Sequence, residues 1–534
     1  MAIALSIGYA LVIIWAIKKL SDLLAYRKTG ASYPPGPKPK PIIGNAFDFP
    51  KYDAALEYLN WGKKYNSDIL HAEALGNHVM ILNKREDADA LLEQSDRAKI
   101  NSDRPHIPIF KVMGWEYNFA MLRYGDEWRE YRKFSQQNFN PQAARQYQTL
   151  QLEKAQQLLQ GLLDTPKEFE EHSKMYLSRA FWSFFMAASS HELFTRFSIS
   201  LTMAMMYGYD VKSIEDPVIS LAEEALALGT QLLTPGGTLI NIIPALQYVP
   251  PWFPGAWSRR LAAKVRELSE EVKRIPREFI KKSLAEGTST SSLVTDFYEK
   301  KFAVGATQHE EDVVNNVAFT VYGAASDTTI SATRTFLYTM AANPDVQRKA
   351  QAELDRVIGS KRLPTFEDRK SLPYIEAIYR EVLRFRPPVP LGIPHCPIAD
   401  DHYKGYFIPK GTSIFPNIWA MAHDEEDYPD PFSFKPERFL DENGQVNGDD
   451  RILAYGFGRR ICVGKHVASA TMWILIASVL ASFNINKSKD KDGNDIEINP
   501  NFFDLGLTSM KSKFECSFVV RSQEARKLIG VDAI

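Results

Sequence analysis

The first apolar run, Ile3 to Ile17, carries no charge and is apolar on every side. It sits at the lower edge of the length that spans a bilayer. Its cations, Lys18, Lys19, Arg27 and Lys28, all follow it. A cleaved leader begins with a positive stretch, and the positive-inside rule keeps the cationic flank cytosolic. The pattern predicts an uncleaved single-pass membrane anchor over residues 1–28. Pro34-Pro35-Gly36-Pro37, Pro39 and Pro41 come next; such a stretch is stiff and cannot be helix. It reads as a hinge over residues 29–41. From about Asp53 to Phe385, apolar positions recur at helical spacing. One such pattern stops at Ala342. Asn343 is expected to cap the next helix, Pro344 to open it and Gly359 to end it. Short β-branched segments punctuated by Gly and Pro fill Pro387 to Pro416, and an apolar helix is expected over about Lys465–Ser482. No repeat or second linker divides residues 42–534. They read as one mainly α body with a small β part.

Composition narrows the class. Against 64 Lys and Arg stand 65 Asp and Glu, a net charge of −1, so no basic excess points to nucleic acid. Three cysteines, Cys396, Cys462 and Cys516, cannot build a disulfide framework.

Candidate chemistry gathers in Tyr455-Gly456-Phe457-Gly458-Arg459-Arg460-Ile461-Cys462-Val463-Gly464, where three glycines surround one cysteine ahead of a helix. Glycines permit tight turns and close approach of a flat ligand. The helix N-terminus and Arg459, Arg460 and Lys465 should favour thiolate, the metal-binding form. Ile461 stands where a dinucleotide loop needs Gly. The spacing from Gly458 to Gly464-Lys465 is one residue too long for a phosphate loop, and His466 replaces its Ser or Thr. No second cysteine lies nearby for zinc or an iron–sulfur cluster. Two readings stay open on the residues alone: an inert cysteine in a turn, or a thiolate that ligates metal.

Gly458-x-Arg460-x-Cys462-x-Gly464 resembles the haem-binding signature of the cytochromes P-450, with Tyr455 where that signature usually begins with Phe. The resemblance runs from Pro34 to about Val520 and is most like fungal microsomal members acting in secondary metabolism. It implies the helix-rich triangular prism of that family, haem b, and Cys462 as axial ligand to the iron. It implies that Gly458 and Gly464 shape the cofactor loop, and that Trp128, Arg132, His395 and Arg460 meet the haem propionates. Glu381-x-x-Arg384 resembles the family's Glu-x-x-Arg motif, with Arg438 as third member of a structural triad. Alone the spacing says little, since Glu271/Arg274 and Glu353/Arg356 share it.

Ala324-Ala325-Ser326-Asp327-Thr328-Thr329 interrupts a long apolar helix with an acid and two alcohols. Threonines that bond back to the preceding turn can open a helix locally. By resemblance, Asp327 and Thr328 deliver protons during dioxygen activation. Ala325 stands where the family more often has Gly, which puts coupling in question.

The function implied is a monooxygenase that inserts one oxygen atom of O2 into a lipophilic small molecule (terpenoid, polyketide, steroid-like or aromatic), in secondary metabolism or xenobiotic oxidation. No dinucleotide fingerprint appears. Electrons are therefore expected from NADPH through a separate NADPH–cytochrome P-450 reductase, with cytochrome b5 a second donor and no nucleic acid as partner. Arg129, Arg132, Lys133, Arg459 and Lys465 form a candidate reductase patch. Placement is expected in the endoplasmic reticulum membrane with a cytosolic catalytic body. Aromatic Tyr248-Val249-Pro250-Pro251-Trp252-Phe253-Pro254 suits a lipid–water interface. The alternatives are a haem-thiolate isomerase or dehydratase, and a catalytically silent haem-binding membrane protein. Residues 176–196, rich in aromatics, look longer than the family needs; gene-model error, an added membrane-touching loop and buried core are the three readings.

Overall fold

The computed structural model describes residues 30–164, 189–211, 216–233, 237–241, 243–505 and 507–530. The expected anchor lies outside them, as does most of the expected extra segment. Its last residues open a helix at Ser189.

The body is mainly helical. Its principal helices are α1 (Ala54–Tyr65), α2 (Asp126–Phe139), α3 (Gln148–Asp164), α4 (Ser189–Tyr207), α5 (Pro217–Leu233), α6 (Trp257–Glu286), α7 (Leu293–Lys301), α8 (Gln308–Ala342), α9 (Pro344–Val357), α10 (Pro373–Phe385) and α11 (Lys465–Ser482). Among the described residues the small β part has nine strands. β1 (Ile69–Ala74) pairs antiparallel with β2 (Asn77–Leu82), with Ile69 opposite Leu82. β2 pairs in parallel with a strand far along the chain, β5 (Ser413–Pro416). β3 (Asp401–Tyr403) with β4 (Tyr406–Ile408), β6 (Phe483–Lys487) with β9 (Cys516–Val520), and β7 (Phe502–Leu505) with β8 (Thr508–Lys511) make three antiparallel pairs. The β1–β2 hairpin interrupts the region beyond Asp53 where helical spacing was expected to dominate.

Helix α11 spans Lys465–Ser482 as its sequence predicts, and is apolar nearly all round. Trp473, Ile474, Leu475, Ile476, Ala477, Val479 and Leu480 have no exposed surface. Among the described residues it is the one helix long and apolar enough to cross a membrane, and most of it is buried as core. It packs against α3, α8, α9 and α10.

Helix α8 begins with a capping box: Thr307 accepts from the Glu310 N–H, and the Glu310 carboxylate accepts from the Thr307 N–H. It ends at Ala342. There the expected role of Asn343 is corrected: its Nδ2 donates back to the Thr339 carbonyl at 2.8 Å, closing α8, and makes no side-chain cap on α9. Pro344 opens α9, and Gly359 stops it with φ 69°.

Candidate functional site

The Cys462 loop is fastened before its chemistry begins. Its N–H donates to the Tyr455 carbonyl at 2.8 Å, which closes the loop on itself. Gly458 has φ +53°, and a Cβ there would lie 2.0 Å from the Leu92 carbonyl oxygen. The requirement for glycine at 458 is thus set by the protein backbone. At Gly464 a Cβ would meet nothing within 4 Å, so that position flanks open space.

The Cys462 side chain is accessible on one side. Enough protein surrounds it that burial pushes the thiol up from its ordinary value, against the Gly464 N–H, Arg132 and Lys465, which favour thiolate. Arg459 and Arg460 are not among those influences. Arg459 donates to the Tyr124 hydroxyl at 2.6 Å. Arg460 donates to the Ser102 and Leu122 carbonyls at 2.7 and 2.8 Å. The expected set of three cations around the thiol becomes Lys465 plus Arg132.

The expected propionate group is brought together. The Arg460 guanidinium stacks on Trp128 at 4.4 Å. Arg132, one turn after Trp128 on α2, donates from Nη1 to the Ile461 carbonyl at 2.7 Å. Each keeps one buried nitrogen without a hydrogen-bond partner, Arg132 Nε and Arg460 Nη1. Arg132 therefore faces inward and drops out of the expected surface patch. Arg129, Lys133 and Arg459 remain exposed.

His395 is held by paired backbone bonds to Ile414 of β5, 2.8 Å each way. Its Nδ1 lies 3.0 Å from the Asn101 carbonyl, an acceptor, so Nδ1 carries the hydrogen. Burial and the charge of Arg104 keep the ring neutral. Nε2 is the second ring nitrogen, left over by the Nδ1 bond.

Arg104 is a further cation in this group that the sequence reading missed. It is buried, and donates to Ala120, Ile393 and Pro394 carbonyls at 3.0, 3.0 and 2.8 Å. The run Asn101-Ser102-Asp103-Arg104 is polar yet fully buried. In sequence it resembles an exposed loop, so it gave no signal.

On α8, Thr328 Oγ1 donates to the Ala324 carbonyl at 2.8 Å, and Ser326 Oγ to Tyr322 at 2.8 Å. The back-bonding is the expected kind, but the helix continues through it without the expected opening. Gly323 and Ala324 are exposed on this stretch. Asp327 is pushed up to about 7, first by burial, then by Glu223, with Arg334 acting in opposition.

Glu381 has no exposed surface. Arg384 makes a fork to it, Nε to Oε2 at 2.6 Å and Nη2 to Oε1 at 2.8 Å. Arg438 Nε approaches the same carboxylate at 3.2 Å. The lookalikes do other things. Glu271 and Arg274 pair on an exposed face. Glu353 accepts from the Tyr374 and Ile375 N–H groups, capping α10.

A flat group bearing carboxylates fits these residues: an accessible thiol, a flank left open at Gly464, and two guanidinium N–H groups without partners beside the same loop. The family model for cytochrome P-450 matches residues 34–516. The chain is 37% identical over 514 residues to the cytochrome P-450 monooxygenase COX2 of Coprinopsis cinerea, covering 95% of this chain and 93% of the relative. It is 36% identical to the cytochrome P-450 monooxygenase ple1 of Rhodocybe pseudopiperita, over 97% of this chain and 95% of that one. It is 35% identical to the tryptamine 4-monooxygenase of Psilocybe cyanescens, over 95% of this chain and 96% of that one. The chain belongs to the cytochrome P-450 family. It is a monooxygenase, and the family's cofactor is haem bound through cysteine thiolate.

Proposed function

We propose that this chain inserts one oxygen atom of O2 into a lipophilic small molecule of secondary metabolism, using electrons from a separate NADPH-dependent reductase. The accessible Cys462 thiol beside two unmet guanidinium groups carries this reading. Haem, when bound, supplies the activation of dioxygen. The chain's own residues do the rest. Cys462 Sγ binds as thiolate, helped by the Gly464 N–H, Arg132 and Lys465. Arg132 and Arg460 hold the two carboxylates through charge-assisted bonds. Asp327, held near neutral pH in its titration, exchanges protons at the carboxyl, and Thr328 presents its hydroxyl one residue on.

The chain is organised as an anchor over 1–28, a hinge over 29–41 and a catalytic body over 42–534. We place it in the endoplasmic reticulum membrane with the body cytosolic. Exposed Tyr248, Trp252 and Phe253 touch the lipid surface, and Arg129, Lys133 and Arg459 receive the reductase.

The test is the carbon monoxide difference spectrum of the reduced, membrane-expressed protein beside Cys462→Ser. A strongly red-shifted Soret band that the variant lacks is expected. An intact preparation that binds no haem would sink the reading. Product formation with added reductase and NADPH, traced with labelled O2, then separates oxygen insertion from isomerisation or dehydration.

A further inference from the structure

Tyr124 stands just ahead of α2, half-buried, between two exposed cations of the candidate reductase patch. Arg459 donates to its hydroxyl at 2.6 Å, and the Arg459 guanidinium lies 5.9 Å from the ring centre. The Arg129 guanidinium lies 5.3 Å from the same centre and is held there by Asp126 at 2.8 Å. At such distances a cation is drawn to an aromatic ring. The backbone is fixed from behind. The Tyr124 N–H donates to Asp103 Oδ1 at 2.6 Å, and Arg123 Nε donates to Oδ2 of that buried acid at 2.6 Å.

Inward, the Tyr124 ring centre is 5.1 Å from that of Trp128, the spacing of a packed aromatic pair. Trp128 is buried, and the Arg460 guanidinium lies 4.4 Å from its centre. Arg460 ends the series with its unmet Nη1, the group that fits a cofactor carboxylate. Arg459, Tyr124, Trp128 and Arg460 thus follow one another from the surface to the site. The rings of the cysteine loop lead elsewhere: Tyr455 bonds to Tyr379 of α10, and Phe457 is buried with Leu82 and Leu92.

We propose that Tyr124 is the point at which the reductase touches this chain to deliver electrons, and that Trp128 and Arg460 continue the path to the edge of the cofactor. The partner is a flavoprotein reductase with an acidic rim, complementary to Arg129, Lys133 and Arg459. One electron at a time leaves its reduced flavin, and the iron goes from ferric to ferrous. The two rings are the medium through which the electron tunnels; neither gains nor loses an electron or a proton. Close packing leaves no layer of water for the electron to cross. Tyr124 is a docking and positioning residue, and Arg459 orients its ring. This rests on the reading of Arg129, Lys133 and Arg459 as the reductase patch.

The experiment uses the full-length haem-loaded protein and a full-length NADPH–cytochrome P-450 reductase in phosphatidylcholine vesicles. Stopped-flow mixing under carbon monoxide reads arrival of the first electron at saturating reductase, and dithionite replaces the reductase as a control. Y124L should lose most of the reductase-driven rate, while its dithionite reduction and carbon monoxide band stay native. Y124F keeps the ring and should keep the rate. K133E leaves both rings untouched and should weaken reductase binding and its salt dependence, with the rate at saturation retained. Tetranitromethane nitration of the native protein, read by peptide mass, should modify Tyr124 in the free protein and spare it in the reductase complex. A native rate in Y124L, where K133E binds weakly, overturns the Tyr124 entry alone. Unaltered reductase binding in K133E overturns the patch and this inference with it. If Y124L takes up no haem, nitration decides: Tyr124 modified equally with and without reductase overturns the inference.

Discussion

The hydroxyls of Tyr379 and Tyr455 lie 2.7 Å apart, joining helix α10 to the first residue of the cysteine loop. Tyr455 is where related signatures carry Phe, so this bond is one the signature does not foretell. Tyr379→Phe leaves the Tyr455 hydroxyl without that partner and should cost about 1–3 kcal/mol. The double variant with Tyr455→Phe removes both groups and should regain most of it. Denaturation midpoints of the four proteins in this cycle decide. Additive losses would mean the bond contributes nothing of its own.

The two glycines of the loop should part company. Gly458→Ala puts a methyl against the Leu92 carbonyl and adds left-handed strain. Overpacking alone costs about 1–3 kcal/mol, so the variant should lose folded protein. Gly464→Ala meets no protein atom within 4 Å. It should fold, with the loss confined to haem uptake. Circular dichroism and haem content of both variants check this; equal behaviour would contradict it.

Glu381→Gln strips the partner from two guanidinium groups in the interior. Breaking a buried pair costs about 3–5 kcal/mol, and the melting temperature should fall accordingly. Glu271→Gln, at the same motif spacing on an exposed face, should leave it unchanged. A similar drop in both would show that spacing, not burial, matters.

Lys511 donates to the Asn499 and Asn501 carbonyls at 2.5 and 2.9 Å, and lies 4.8 Å from the Tyr338 ring centre. Burial first, then Arg386, brings its pKa from 10.5 down to about 8. A depressed cation contributes stability that is present above the unfolded value and lost as pH falls through the folded one. Stability should therefore rise between pH 8 and pH 10.5 in the native protein more than in Lys511→Met. Denaturant midpoints across that window measure it, and parallel curves would refute it.

Much of this architecture was legible because its signals are local. The apolar periodicity of α11, the proline opening α9 and the glycine ending it need only neighbouring residues. The cysteine loop was legible because its spacing is fixed by backbone turns. The β1–β2 hairpin was not: its strands are short and buried on both faces, so they lack alternation, although Gly76 stands in the Leu75-Gly76 turn. Arg459 and Arg460 were assigned to the thiol because they are close in sequence. In the fold, distant carbonyls and the Tyr124 hydroxyl claim them. Arg104 acts through carbonyls hundreds of positions away, and no local pattern announces such partners.

The fastening of the cysteine loop also bears on how the protein forms. The Gly458 N–H reaches the Glu93 carboxylate across 365 residues of sequence, and Arg451 reaches Asp89 across 362. Contacts so distant along the chain raise the entropy of closure and slow folding. During synthesis the segment around Asp89–Glu93 must wait for almost the whole polypeptide before its partner exists. The thiol acquires its final setting only once both ends of the catalytic body have met. Cofactor capture is then a late event in biogenesis, and a chain truncated before Arg451 should be left without the surface that seats it.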